Sequence, residues 1–366
     1  MKTFGTGLLL FLFVASAIGG WIFFNPGPPA LRAAIDTAPE PIDERSGIYA
    51  SADGTQHRLV LPALDRDFYR FNLDSWEAAE HIGSADIANG ELARPASQPY
   101  RVRTLSLSEP ETLEGWIFEP EEISGTGIVI LHGSGDSDRS NGWYALLADH
   151  LARAGHVVIL PDKRGSGRSG GDWRNAPFEL LAQDGKAWLG LLREETPDLP
   201  AYGFVGVSQG GTIAPEAARI AEADFAVALS AAAIDMVEQL RLEVGNGVRE
   251  GAPGFLQGVL TSAFTTRAKR RQPGFWAANG DYNMLEEWQE WRGPFFLMLG
   301  EEDEADNVPV AESVRRLEAL PEGQRPEWRV YPGVGHALMR DHRFLPAFER
   351  DLFGWLERFS DSDGGA

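Results

Sequence analysis

The chain has 366 residues, enough for a sizeable core and for more than one domain. With 33 Lys and Arg against 54 Asp and Glu, its formal net charge of −21 repels a phosphate backbone and argues against nucleic acid as a partner. It contains no cysteine, which excludes disulfides, thiolate metal sites, a cysteine nucleophile and a lipidated cysteine anchor.

Residues 1–24 open with Lys2 and then run uncharged and apolar from Phe4 to Phe24, about the length needed to span a bilayer. Trp21, Phe23 and Phe24 suit the far interface. Ala15-Ser16-Ala17 resembles a signal-peptide cleavage site, but cleavage there leaves "IGGWIFF" as an apolar mature N-terminus. An uncleaved anchor is therefore favoured over a secreted or periplasmic product. Lys2 before the run and acidic residues after it place the body of the protein outside the cytoplasm. Residues 25–46, rich in proline and charge, read as a linker. Residues 47–98 form a small strand-containing extension, with a hairpin expected in "GIYASADGTQHRLVLP" and no residue pattern that suggests catalysis.

From residue 99 to about 360 the pattern changes to alternating strands and helices. "YRVRTLSLS" and "LEGWIFEP" read as strands, and "GTGIVILHG" as a buried parallel one. "WYALLADHLARAG" has helical spacing, "HVVILPD" is a second buried strand, and "PFELLAQDGKAWLGLLREE" is an amphipathic helix. "AYGFVGV", "FAVALS", "GPFFLMLG" and "EWRVYPG" complete the strands, and "RFLPAFERDLFGWLERF" ends the domain as a helix. The alternation predicts an α/β fold, a mostly parallel central sheet with helices on both faces. Residues 232–292 are too many for a plain crossover and read as a helical cap insertion. Its Phe264, Phe275, Trp276, Trp288 and Trp291 either pack the cap onto the core or line an acyl pocket. Its Arg267, Lys269, Arg270 and Arg271 either form a solvated face or turn toward anionic lipid.

The glycines Gly165, Gly167 and Gly170 in "KRGSGRSGG" match a dinucleotide fingerprint, but "GDWRNAP" separates them from the next helix. A pyrophosphate site needs the helix to open directly on those glycines, so nucleotide binding is not expected.

Gly206, Ser208 and Gly210 make a G-x-S-x-G between an apolar strand and an alanine-rich helix. The plain alternative is a tight strand-to-helix turn with a capping serine. A serine nucleophile needs a base, a group to orient that base, and donors for the oxyanion. The histidines after Ser208 are His336, just past the last strand, and His342, which leads into the terminal helix; His336 is favoured. For the acid, Asp303 follows the strand end closely, whereas Asp306 stands shortly before Pro309, where a carboxylate near the next helix N-terminus has a structural explanation. Asp303 is favoured. The backbone N–H groups of Gln209 and Ser134 are the candidate oxyanion donors, with Gly133 as the alternative to Ser134. His132 belongs to the same turn and is expected to orient the loop rather than act as base.

Taken in order, "ILHGSGDSDRS", "LADHLARAGHVVILPDKRGSGRSGG", "FELLAQDGKAWLGLL", "GFVGVSQGGTIAPEAA", "LGEEDEADNVPVAESVRRL" and "PGVGHAL" resemble successive landmarks of the α/β-hydrolase superfamily. The resemblance is to bacterial esterase- and acylaminopeptidase-like serine hydrolases and covers about residues 100–358. It implies the α/β-hydrolase fold and a triad of Ser208, Asp303 and His336. It also implies a structural turn carrying Asp162 and Arg164 in "DKRGSGRS". It implies hydrolysis of a small-molecule ester through an acyl-enzyme, with no metal and no organic cofactor. Amide hydrolysis and a catalytically inactive binding module are the alternatives. The acid loop "GEEDEADNVP" is longer than the family's usual one, and residues 1–98 lie outside the resemblance. Nothing in the sequence indicates an oligomeric state.

Overall fold

The computed structural model describes residues 47–51, 56–60, 68–72, 80–82 and 92–93, then 99–360 except 109, 140, 306, 341 and 342. The expected anchor and linker, and the alternatives Asp306 and His342, lie outside the described residues. Among the described residues no helix is long and apolar enough to cross a membrane.

Among its described residues the extension has five short strands: β1 Gly47–Ser51, β2 Gln56–Val60, β3 Phe68–Asn72, β4 Glu80–Ile82 and β5 Leu92–Ala93. They pair antiparallel in the order β4-β3-β2-β1-β5, with Gly47 opposite Leu59 in the expected β1–β2 pairing.

The main sheet has eight strands. β6 (Tyr100–Leu107) and β7 (Leu113–Pro120) form an antiparallel pair, and β7 also lies antiparallel to β9 (Val157–Pro161). The remaining strands are parallel: β8 (Gly127–Leu131), β9, β10 (Tyr202–Val207), β11 (Phe225–Leu229), β12 (Phe295–Gly300) and β13 (Glu327–Tyr331). The order across the sheet is β13-β12-β11-β10-β8-β9-β7-β6. Every residue of β8, β9, β10, β11 and β12 is buried, as continuous apolar runs covered on both faces must be.

The helices that cover the sheet are α1 (Gly142–Arg153), α2 (Phe178–Glu195), α3 (Gln209–Ala221), α8 (Val310–Ala319) and α9 (Pro346–Leu356). One apolar cluster packs α2 and α3 on one face of the sheet through Trp188, Leu189, Phe204 and Ile213. The other packs α1 and α9 on the opposite face through Leu146, Leu151, Phe225, Phe348 and Trp355. The cap consists of α4 (Met236–Gly251), α5 (Gly254–Arg271), α6 (Pro273–Asn279) and α7 (Met284–Trp291). Trp288 and Phe275 are buried, and Trp276 and Trp291 pack partly buried against the first cluster, so these aromatics seat the cap on the core. Helix α5 has no buried residue, and Phe255 and Val259 stand out from it into solvent.

In parallel sheets of this kind, the loops leaving the carboxyl ends of the strands converge on one rim. Every candidate residue with described placement sits there: Ser134 after β8, Ser208 after β10, Asp303 after β12 and His336 after β13.

Candidate active site

The turn from β10 into α3 puts Ser208 at φ 52° and ψ −117°, a left-handed conformation for a residue with a Cβ. Such a backbone costs on the order of 1–3 kcal/mol and persists only where its surroundings hold it. Two glycines let it form. A Cβ on Gly206 would lie 2.2 Å from Gly210 O, and one on Gly210 would lie 2.0 Å from Leu131 O. Neither position can carry a side chain, so the G-x-S-x-G spacing follows from contact distances. The Ser208 N–H donates to Leu229 O at 2.8 Å, which fastens the turn to the neighbouring strand. Ser208 is partly exposed, and its hydroxyl has no hydrogen-bond partner among the described residues.

Two strands away, a short helical turn over Glu301–Ala305 holds Asp303 fully buried. Asp303 Oδ2 lies 2.6 Å from His336 Nδ1. The N–H and side-chain amide of Asn307 approach Asp303 Oδ1 at 3.3 and 3.5 Å. The histidine loop is tied down on its other side: Ser230 Oγ donates to His336 O at 2.7 Å, and the Glu302 N–H donates to Val334 O at 3.0 Å. Gly300 permits this approach, since a Cβ there would sit 2.3 Å from Gly335 O. The His336 side chain is about one-third exposed, so its far nitrogen is open to the rim while Nδ1 is held by the buried carboxylate. Glu304 reaches forward to accept from the Ala311 N–H at 2.8 Å, so a glutamate serves the α8 N-terminus.

The loop after β8 completes the rim. A Cβ on Gly133 would lie 3.3 Å from Ser208 Cβ, which places this backbone against the serine. The Gly133 N–H donates to Tyr144 Oη at 2.7 Å and is therefore occupied. The N–H groups of Ser134 and Gln209 have no acceptor among the described residues. Gln209 is the first residue of α3, whose N-terminal end carries partial positive charge. His132 is buried; its Nε2 donates to Pro161 O at 2.6 Å and its Nδ1 accepts from Ser137 Oγ. Burial pushes its pKa down to about 3, so it is a neutral brace.

Asp162 and Arg164 act in the architecture. Asp162 accepts from the N–H groups of Arg139 and Arg168 at 2.9 Å and lies 3.0 Å from the Arg139 guanidinium. Gly165 and Gly167, at φ 72° and 54°, make the turn that folds around this carboxylate, and no helix opens on them. Arg164 forms a two-pronged pair with Asp184 of α2.

Two further side chains reach the rim from outside the triad and the oxyanion turns. Lys163 is buried, with Nζ donating to Gly133 O and Gln209 Oε1 and lying 4.1 Å from the centre of the Trp173 ring. A charged residue between a buried strand end and a glycine-rich turn was the available signal. Glu243 of α4 comes near the His336–Asp303 pair; burial pushes its carboxyl up to about 7, against the opposing pulls of Gln239 and His336. Gln239 donates both to Glu243 Oε1 and to Asn307 O, linking the cap helix to the acid loop. The approach of α4 to that loop is a tertiary fact with no local signature.

A model of the alpha/beta hydrolase family matches residues 128–345, more than half of the chain, and the chain belongs to that family. No curated protein matches it. Among solved structures, an esterase of Pyrococcus furiosus, Pf2001, superposes with a TM-score of 0.53 at 19% identity, covering 72% of this chain and 91% of that one. Brefeldin A esterase, described as a bacterial homologue of human hormone-sensitive lipase, gives 0.50 at 21% identity over 72% of this chain and 78% of its own. A proline iminopeptidase of Mycobacterium smegmatis gives 0.50 at 17% identity over 71% and 99%. At these identities the likeness speaks for the fold.

Proposed function

We propose that this hydrolase cleaves carboxylic esters of small molecules with Ser208 as nucleophile, His336 as general base and acid, and Asp303 as the orienting carboxylate. The observation that carries the reading is the strained, partly exposed Ser208 turn on the same sheet rim as a histidine held at 2.6 Å by a buried aspartate. Aspartate on Nδ1 leaves Nε2 as the nitrogen that takes the serine proton. The alkoxide oxygen adds to the ester carbonyl, and the N–H groups of Gln209 and Ser134 receive the negative charge that develops on the carbonyl oxygen. His336 then delivers its proton to the departing alcohol, leaving an acyl-Ser208. Water attacks that acyl group, His336 takes the water proton, and the carboxylic acid leaves as Ser208 regains its hydrogen.

Side-chain hydrogen bonds between His336 and Ser208 form in many such sites only when substrate is present, so their absence in the free protein does not oppose the assignment. The test is hydrolysis of p-nitrophenyl esters of increasing acyl length, with an anilide of the same acyl group as comparison. Turnover of the esters ahead of the anilide is expected. Turnover of the anilide alone favours the amidase alternative, and turnover of neither, in folded protein, favours a binding module.

A further inference from the structure

Lys163 Nζ touches both the loop after β8 and the first residue of α3. We infer that its ammonium group is a positioning residue that orients and polarises the Gly133–Ser134 peptide, whose N–H faces the oxyanion, and locks that peptide to Gln209. The inference rests on the triad reading above.

The geometry is one of shared groups. Gly133 C=O and Ser134 N–H belong to one planar peptide unit, so fixing the oxygen fixes the direction of the hydrogen. Lys163 Nζ donates to that oxygen at 2.7 Å. Its second donor goes to Gln209 Oε1 at 2.5 Å, and a third contact, to Gly135 O, is 3.4 Å. One ammonium thus ties the β8–α1 loop to the first residue of α3, the two places that supply the candidate oxyanion donors. Hydrogen bonds with a charged donor are roughly twice as strong as neutral ones, and a cation on the carbonyl oxygen makes the N–H of the same amide a better donor. The Gly133 N–H is held by Tyr144 Oη, so the peptides on both sides of Gly133 are fixed and Ser134 N–H remains for a ligand.

The setting keeps the ammonium poised. The Trp173 ring lies against it, Asp136 attracts it, and Arg174, which pairs with Asp136, repels it. His132 beside it is neutral. Burial is the largest influence and brings the lysine down to about 7. Raising the pH through that region removes the proton, and with it the charge behind the oxyanion site.

The experiment compares the wild type with Lys163→Met, which keeps the buried stem and removes the charge. The readouts are kcat and KM for a short p-nitrophenyl ester from pH 5 to 10, and Ki for a trifluoromethyl ketone that forms a charged tetrahedral adduct. The expected result is a kcat lower by roughly 10- to 100-fold at pH 7, with KM little changed. That is less than the loss of an oxyanion donor itself, because the lysine acts through the peptide. The ketone should bind more weakly by a similar factor, and the alkaline fall of kcat expected of the wild type should be absent from the variant. A folded variant with unchanged kcat, pH profile and ketone affinity overturns the inference. Should Lys163→Met not fold, Gln209→Met removes one of the ammonium's acceptors and keeps the Gln209 N–H. The alkaline limb is then expected to move to lower pH, and an unmoved limb overturns the inference. A wild type inert toward both esters and the ketone overturns the triad reading and this inference with it. An active wild type with an indifferent lysine overturns the inference alone.

Discussion

Ser208, Asp303 and His336 differ in how far local sequence could fix them. Ser208 announces itself, because a Cβ on Gly206 or Gly210 would come within 2.2 or 2.0 Å of a backbone oxygen and only glycine fits either place. Asp303 was one of several carboxylates in a run of acidic residues, and strand-end proximity favoured it. Its full burial and the 2.6 Å contact with His336 are long-range facts that no spacing rule contains. Replacing it with asparagine keeps the shape but removes the charge that holds the imidazole. The expected cost is about 10⁴ in kcat with the fold retained, read from steady-state kinetics and thermal unfolding together. A loss under tenfold would point to another carboxylate. His156 is buried, accepts the Thr126 N–H on Nδ1, and is pushed by burial down to about 4. It stays neutral in the folded protein while the unfolded chain takes up its proton below about 6.5. The stability it contributes is therefore present above about pH 6.5 and is lost as pH falls toward 4. His156→Asn keeps an acceptor in place of Nδ1 and cannot ionise. The stability gap between wild type and variant should shift in the variant's favour by about 1.4 kcal/mol per pH unit between pH 6 and 4.5, by urea unfolding. A gap independent of pH would contradict the buried neutral state.

At the scale of elements, the sheet was legible because its central strands are buried on both faces and read as continuous apolar runs such as "GIVIL", "VVILP" and "FFLMLG". The helices α2 and α9 followed from their spacing. The cap was legible as an insertion but not in its attachments. Gln239 to Asn307, Asn246 to Glu304 and Arg316 to Glu238 join α4 to the acid loop and to α8, and each joins residues far apart in the chain. Gly210→Ala forces a methyl into Leu131 O and should destabilise the protein by on the order of 3 kcal/mol or more, with loss of activity. Gly258→Ala is the counterpart: it lies in α5 with nothing within 4 Å of the new methyl. It should stabilise by about 0.5–1 kcal/mol, because alanine loses less backbone freedom than glycine on entering a helix. Denaturant unfolding of the two variants checks both, and equal effects would contradict the contact argument.

For the whole molecule, we propose that the apolar run of residues 4–24, about the length needed to span a bilayer, tethers the hydrolase domain to a membrane. We predict that the intact protein sediments with membranes and that a chain beginning after residue 30 stays in the supernatant with its hydrolase activity. A mature chain that mass measurement finds starting near Ile18 would instead establish cleavage. The extension of residues 47–98 adds a separate antiparallel sheet for which the fold of the hydrolase family supplies no role. Fluorophosphonate labelling followed by peptide mass mapping asks whether a single serine on the sheet rim is the nucleophile. One adduct per chain is expected, on the peptide carrying Ser208, and none in Ser208→Ala. A folded wild type that takes up no label, or that carries it on a different residue, would contradict it.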